Sequence, residues 1–428
     1  MKKRRTAVYI MAALSLVAAL LTGNALFFTL TYLLAFLLIL SFAWAWSSIN
    51  WVQVSRVTRT RRAQVGRPLE ERFVVKNSSV IPKLWLEVRD FGTLPNHLSS
   101  QAIADLGSHS SYVWRVNTIC THRGRFQLGP LRLQTSDPFG LFPMEREFPA
   151  TTNVVVYPQT YPIYNFPLPM GLLPGGDALR RRTHYVTTNA AGVREYAPGD
   201  SFSRIHWRST ARRGRLIVKE FELDPLADIW IVVDMAQFSH ISGQNKAINA
   251  TPQADIPIWM RVDEEYQLPP LTEEYTVAVA ASLAQYFLQP SRNMRQNRAV
   301  GLLAYGQSHE IVQPDRGERQ LNRILETLAV LRTAGQVRVH DMLHAESHLL
   351  PRGTTVVVIT PTTDQGWITA VRQFNQRGLR VVTVSINPAS FGSASSSAEM
   401  VSLLQGSGKM AYMVNCGDEL TAVLSQPL

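Results

Sequence analysis

The chain has 428 residues, 46% hydrophobic and 18% charged, with 43 Lys or Arg against 32 Asp or Glu and a formal net charge of +11. That length exceeds one ordinary domain and points to two or three, and the composition excludes a disordered, collagenous or low-complexity chain. Two cysteines, Cys120 and Cys416, exclude a disulfide scaffold and any multi-cysteine zinc or iron–sulfur centre.

The chain opens Met-Lys-Lys-Arg-Arg and then runs apolar from Thr6 to Trp46, broken only at Thr22-Gly23-Asn24. One helix over that run would span roughly 60 Å, about twice a hydrocarbon core. Two antiparallel transmembrane helices fit better, from about residue 6 to 22 and from about 25 to 46, so residues 1–50 are predicted to be a membrane anchor. Trp44, Trp46 and Trp51 fall where an interfacial aromatic belt belongs. Lys2, Lys3, Arg4 and Arg5 precede the hairpin and Arg56, Arg59, Arg61 and Arg62 follow it. By the positive-inside rule both ends, and the large soluble part, face the cytoplasm. A cleaved signal peptide shares the basic start, but the apolar run continues past any cleavage point. No Asp, Glu, Lys, Arg or His lies between Thr6 and Trp46, so nothing suggests a transport path through the bilayer.

Residues 51–165 alternate in short runs: WVQVSRVTRT, ERFVVKN, LWLEVRD, SYVWRVNT, FQLGPLRLQT and NVVVYP read as strands,. Pro82, Pro95, Gly124, Gly129-Pro130 and Asp137-Pro138-Phe139-Gly140 break them,, and strands at this spacing predict a small β-sandwich-like domain. From residue 227 to 428 the pattern changes. DIWIVVD, RAVGLLAYG, TTVVVIT and LRVVTVSI are buried strands; TEEYTVAVAASLAQYFL, ERQLNRILETLAVLR and a stretch around Trp367–Phe374 are helices. That alternation predicts an α/β domain with a mostly parallel sheet covered on both faces. A polar insertion, residues 235–270, follows its first strand.

Between them, residues 166–226 form a basic connector. From Ala178 to Lys219 there are ten Lys or Arg and two acids, Glu195 and Asp200. Pro198-Gly199-Asp200 is turn chemistry. A helix is predicted over Phe202–Thr210, with Asp200 or Ser201 as N-cap and Arg204, Trp207 or Arg208, and Ala211 on one face. LIVKEFE then reads as a strand.

REYAPGD, RIHWRSTARRG and VKEFE, with RGRFQLGPLRLQTSDPFGLF at 123–142, resemble the bacterial domain-of-unknown-function family number 58. The resemblance implies a hydrophobic hairpin, a β-domain and a von Willebrand factor A-like α/β domain of Rossmann type, and so covers nearly the whole chain. It also implies association with MoxR-type AAA+ ATPases, in assembly or activation of other complexes, and no established catalytic activity.

The motif residues Arg194, Glu195, Tyr196, Pro198, Gly199, Asp200, Arg204, His206, Trp207, Arg208, Arg212, Lys219 and Glu220 admit three overlapping readings. One is an internal clasp in which Arg194, Glu195, Asp200, Arg204 and Arg208 pair and Trp207 packs. Another is a partner-docking surface, since Arg and Trp are enriched at hot spots. The third is a phosphate or nucleic-acid site, although no DNA- or RNA-binding module pattern accompanies it.

Many A-domains hold Mg²⁺ through Asp-x-Ser-x-Ser after the first strand, because a hard cation takes carboxylate and hydroxyl oxygens. Here the strand ends in Asp234-Met235-Ala236-Gln237-Phe238. Asp234 is a remnant, Ala236 and Phe238 replace both hydroxyls, and Asp364 could supply a second carboxylate; no metal or other cofactor is expected, and Asp234 would hydrogen-bond locally. His340, His344 and His348 lie at four-residue spacing and could share a helix face, though all three could not reach one ion. Glu264-Glu265 and Glu273-Glu274 read as solvated helix-start charges, and no Gly-x-Ser-x-Gly elbow occurs. The sequence therefore predicts a non-catalytic, membrane-tethered cytoplasmic scaffold or adaptor at the inner membrane that docks a MoxR-type AAA+ ATPase or its client and touches no nucleic acid. The alternatives are an envelope-biosynthesis hydrolase whose site is not legible, or a basic module for anionic lipid or phosphate.

Overall fold

Lys2–Thr22 and Ala25–Ile49 form two helices, α1 and α2, each long and apolar enough to cross a membrane. Gly23, at φ 65°, makes the turn between them, a conformation that costs glycine little. The Asn24 side chain caps α2 by accepting from the Leu26 N–H at 2.9 Å,. Polar side chains join the pair: the Ser15 hydroxyl donates to the Phe27 carbonyl at 3.0 Å, and the Thr31 hydroxyl donates to Ser15 Oγ at 3.0 Å. These coordinates are a computed structural model that describes residues 2–167, 190–196, 205–221, 228–241, 267–289 and 298–425.

Ten strands follow: β1 (Val52–Thr58), β2 (Arg62–Gln64), β3 (Pro68–Asn77), β4 (Lys83–Asp90), β5 (Gln101–Leu106), β6 (Ser111–Ile119), β7 (Gly124–Leu128), β8 (Leu131–Thr135), β9 (Met144–Phe148) and β10 (Thr152–Tyr157). They form sheets of order β1-β3-β6, β5-β4-β8-β9 and β2-β10-β7. The first two share one core: Val54, Phe73 and Val75 meet Leu86, Val88, Ile103 and Leu133, as period-two alternation with one buried face requires. Opposite Phe73 in the register, Trp114 stacks its ring at 5.0 Å.

This region also buries charge. The side chains of Arg56, Glu71, Asp90 and His97 are each 3% exposed or less. Arg56 pairs with Glu71 and Asp90, and His97 Nε2 lies 3.0 Å from a carboxylate oxygen of each acid. Arg56 is thus an internal partner of two acids rather than a free juxtamembrane cation.

The connector forms a two-stranded antiparallel ribbon, β11 (Ala190–Glu195) with β12 (Ile217–Phe221), and a short helix α3 (Trp207–Arg213). Next come β13 (Ile229–Val233), α4 (Thr272–Leu288), β14 (Val300–Tyr305), β15 (His309–Asp315), α5 (Gly317–Val330), α6 (Val339–Ala345), β16 (Thr355–Thr360), α7 (Gly366–Gln376), β17 (Arg380–Ile386), α8 (Ala398–Gly406), β18 (Ala411–Val414) and α9 (Leu420–Ser425). The six strands form one mixed sheet, β15-β14-β13-β16-β17-β18, parallel except for the edge strand β15. Helices α4, α5 and α9 pack on one face, and α6, α7 and α8 on the other. Every residue of β13 is buried, which is why these strands read as unbroken apolar runs.

The β-region and the α/β region are fastened at several places, among them Arg62 of β2 and Tyr157 of β10, which both reach Glu326 of α5. Arg123, just before β7, is 1% exposed and reaches into the first turn of α4, where its Nε lies 3.0 Å from Glu274 and its guanidinium also bonds Glu273. Its Nη1 donates to the carbonyls that close α5, at 2.8 Å for Leu328. Beyond β10 the chain lies across α4. The Tyr161 N–H donates to Ser282 Oγ at 2.9 Å, the Phe166 N–H donates to the Tyr286 hydroxyl at 3.2 Å, and the Phe166 ring stacks on Tyr412 at 5.1 Å.

Candidate functional site

The strand order reverses between β13 and β16, and in open α/β sheets the crevice beyond the carboxyl ends of the strands at such a point is where ligands bind. Asp234 stands there, immediately after β13. Its Oδ1 accepts the Ala236 N–H at 3.0 Å and its Oδ2 accepts the Thr360 hydroxyl, at the end of β16, at 2.6 Å. Asp234 is 2% exposed. Burial pushes its carboxyl above the usual range, against the charge of His240 and these hydrogen bonds,. His240 donates from Nε2 to the Asp234 carbonyl at 2.7 Å, and its Nδ1 faces the Thr272 hydroxyl at 3.1 Å. A carbonyl can only accept, so Nε2 carries a hydrogen, and burial lowers the ring's pKa against the charge of Asp234,.

These residues do not fit a Mg²⁺ site. Both Asp234 oxygens are already used, Ala236 and Phe238 offer no side-chain oxygen, and Asp364 accepts the Gly366 N–H at 2.9 Å and faces Arg338 at 3.4 Å. Among the described residues no group of three His, Cys, Asp or Glu is placed to hold a metal. An open cleft of about 330 Å³ is lined by Phe238 and Ser239 after β13 and by Arg338, His340, Thr362 and Asp364 among others, and buried Asp234 is not part of its wall. Its groups can form hydrogen bonds and one cationic contact.

Two expectations are corrected here. Glu273 and Glu274 are not solvated charges: they are half-buried because Arg123 comes from the β-region to pair with them. His340, His344 and His348 do not share a helix face, because α6 ends at Ala345 and His348 falls in a separate 3-10 turn, Ser347–Leu349. His344 packs instead on the Phe374 ring, with centroids 4.7 Å apart.

In the connector, α3 begins later than predicted. His206 is its N-cap, with Nδ1 accepting from the Ser209 N–H at 3.3 Å, and Gly214 closes it in the left-handed region. No side chain of α3 is buried. Trp207 is 67% exposed rather than packed, and Arg208 and Arg212 are exposed beside it. Glu195 pairs with Arg215 at 2.6 Å, with both side chains largely in solvent. Arg194 lies opposite Val218, and Lys219 and Glu220 opposite Val193 and Gly192, in the β11–β12 ribbon, where Tyr196 follows β11 and its N–H donates to the Leu216 carbonyl at 2.9 Å. Pro198, Gly199, Asp200 and Arg204, like Glu264 and Glu265, lie outside the described residues. Arg123, which bonds the two regions together, belongs to the RGRFQLGPLRLQTSDPFGLF segment, in which nothing marks its role. Its only sequence signal is an arginine in a run of turn and strand residues.

Residues 192–251 match the family described as "Protein of unknown function DUF58", so the assignment read from the connector motif holds for the segment that carries it. A curated relative, "Uncharacterized protein YeaD" of Bacillus subtilis (strain 168), is 29% identical over 113 residues, which is 26% of this chain and 28% of that protein. The alignment thus spans little more than a quarter of that relative. Among solved structures, the CARDB domain of the PF1109 protein from Pyrococcus furiosus is 19% identical and covers 24% of this chain and 91% of that one, at a TM-score of 0.20. Proximal thread matrix protein 1 from the mussel byssus, with a zinc-occupied MIDAS motif, is 13% identical and covers 47% of each chain, at a TM-score of 0.27.

Proposed function

We propose that this chain is a membrane-tethered, non-catalytic docking protein, and that its cytoplasmic face receives a MoxR-type AAA+ ATPase or that ATPase's client in the assembly or activation of envelope-associated complexes. The observation that carries the reading is α3. Seven residues with no buried side chain begin with a Trp that is 67% exposed and carry the exposed Arg208, Arg212 and Arg213. Such a helix contributes little to a core, while Trp and Arg are the side chains most often dominant at protein interfaces.

The α/β region is read here as A-like. In favour stand the strand order with its antiparallel edge and the carboxylate at the end of the first strand. Fold alone does not assign function; what favours binding over chemistry is a switch-point carboxylate already tied to Ala236 and Thr360. The anchor reading rests on the length and apolarity of α1 and α2. The cytoplasmic orientation rests on the Lys2–Arg5 cluster and on Arg59 and Arg61,.

The test is crosslinking and mild-detergent purification of the tagged full-length protein from its native membrane, with Trp207→Ala and Arg208→Glu/Arg212→Glu variants beside it. All three side chains are exposed, so the variants should keep the fold. Recovery of an AAA+ ATPase with the native chain and its loss from the variants is the expected result. Equal recovery from all samples would move the docking surface off α3; absence from all would remove the ATPase as partner.

A further inference from the structure

We propose that the end of the β-region beside the anchor is itself seated in the lipid interface, through Phe139 in the β8–β9 loop, Val80 and Ile81 in the β3–β4 loop, and Leu84 and Trp85 at the start of β4. This rests on the reading of α1 and α2 as membrane spans. The bilayer surface can be located along the hairpin. The Phe142 ring, at the end of the β8–β9 loop, packs edge-on against Phe42 of α2 with centroids 5.6 Å apart, and the Arg5 guanidinium of α1 lies 5.8 Å from the same ring. Arg5 closes the basic start of α1, which belongs at headgroup level. From Thr6 to Thr22, α1 runs about 26 Å, enough for one hydrocarbon core.

The rest of α2 lies below that level and is covered by protein on one face: Ala45, Ser48 and Ile49 are buried, and α2 packs against β8 and β9. The β8–β9 loop therefore stands at the membrane surface. Asp137 pins it by accepting the N–H groups of Phe139 at 3.0 Å and Phe142 at 2.6 Å. The pinned loop leaves Phe139 57% exposed.

The β3–β4 loop is held at the same end. The Ser78 N–H donates to the Trp51 carbonyl at 2.8 Å, and the Lys83 ammonium donates to the Ser47 carbonyl of α2. Ser47 is five residues beyond Phe42, roughly 7 Å along the helix axis, which is within the thickness of a headgroup layer. Val80 is 75% exposed, Ile81 is exposed, and after the buried Lys83 β4 continues with two consecutive exposed apolar residues, Leu84 and Trp85. A strand with one solvated face would alternate there. A bilayer accounts for the departure, because the loop and strand that carry these side chains are bonded to Trp51 and to Ser47 of α2, and because Trp with aliphatic neighbours suits the interface. The soluble part then stands in one fixed orientation on the membrane rather than swinging on a tether.

The test uses the full-length chain in nanodiscs of phosphatidylethanolamine and phosphatidylglycerol, in a Cys416→Ser background, since Cys120 is buried. A nitroxide is placed in turn at Val80→Cys, Phe139→Cys, Leu33→Cys on the exposed face of α2, and Ser402→Cys on α8. Collision with oxygen, which partitions into lipid, is compared with collision with a water-soluble nickel chelate. The expected result is a several-fold higher oxygen-to-nickel ratio at Leu33, Val80 and Phe139 than at Ser402. If Leu33 is lipid-exposed while Val80 and Phe139 match Ser402, the interfacial seat is wrong and the anchor stands. If Leu33 also matches Ser402, the anchor reading fails and this inference falls with it.

Discussion

The Nε of Arg123 lies 3.0 Å from the carboxylate of Glu274, a residue 151 positions away in sequence and in the other folded region. The same guanidinium bonds Glu273 and two carbonyls at the end of α5, while the Arg123 carbonyl accepts Arg332 Nη2 at 2.8 Å. A buried cation is tolerable only when it is fully partnered, and here one side chain satisfies the first turn of α4 and the last carbonyls of α5 together. The geometry makes Arg123 the rivet between the β-region and the α/β region.

Replacing it by Met should destabilise the protein by roughly 3–5 kcal/mol, the cost of leaving buried opposite charges unpaired. Arg123→Lys should recover only part of that, because an ammonium cannot make the forked contact with Glu274 and both carbonyls. Chemical unfolding of the detergent-solubilised chain measures the loss. A wild-type unfolding midpoint in Arg123→Met would show that the rivet contributes nothing.

The buried quartet of Arg56, Glu71, Asp90 and His97 sets a pH dependence. Burial alone would lower the His97 pKa, but hydrogen bonds to Asp90 and Glu71 and their charges win and raise it to about 9. Asp90 moves the other way: burial opposes it, yet bonds from His97, Arg56 and Ser99 hold its carboxyl well below the usual range. A histidine raised above its unfolded value of about 6.5 stabilises the fold fully below that pH and loses the contribution as pH rises through the folded value. Stability should therefore fall between about pH 6.5 and 9, by up to roughly 3 kcal/mol from this group. His97→Asn should flatten the slope in that window; an unchanged slope would mean that His97 is not the titrating group.

The hairpin was legible because a long apolar run broken by Gly23-Asn24 leaves few alternatives. The buried strands β13, β14, β16 and β17 were legible because the sheet is covered on both faces. What failed to show was whatever depends on distant partners. Glu273 and Glu274 look like ordinary helix-start acids until Arg123 is brought to them. The β5 strand, Gln101–Leu106, lacks strict alternation and carries Asp105 at φ 59°, so its pattern is hidden. The predicted start of α3 was five residues too early, because His206 rather than Asp200 or Ser201 caps it. Histidine is a less familiar N-cap than aspartate or serine. At Asp234 the sequence did carry the key fact, the loss of two hydroxyls, but not the bond from Thr360 that takes up the second oxygen.

That bond yields a metal prediction. Titrating Mg²⁺ into the full-length protein should reveal no site tighter than about 10 μM, a standard free energy of roughly −7 kcal/mol. Asp234→Asn, by contrast, should destabilise the fold by roughly 1–3 kcal/mol, because an amide presents donors as well as an acceptor to Ala236 and Thr360. A tight Mg²⁺ isotherm that vanishes in Asp234→Ala would reverse the assignment and make Asp234 a metal ligand.

Two glycines separate packing from propensity. At Gly335 the chain is bridged to the residues after β13: its N–H donates to the Met235 carbonyl at 3.0 Å, and its carbonyl accepts the Gln237 N–H at 2.9 Å. A Cβ added there would sit 2.2 Å from the Tyr305 carbonyl oxygen and 3.0 Å from that of Met235. Both obstacles are backbone and neither can rotate away, so Gly335→Ala should cost roughly 1–3 kcal/mol or more and disturb the segment that follows β13. Gly406, the last residue of α8, meets nothing within 4 Å. There the same substitution should be neutral or stabilise by up to about 1 kcal/mol, through helix propensity. Thermal unfolding of the two variants side by side decides the matter: a Gly335→Ala midpoint at or above that of Gly406→Ala would mean that the bridge to Met235 and Gln237 yields easily, and that the segment after β13 is not held by close backbone approach.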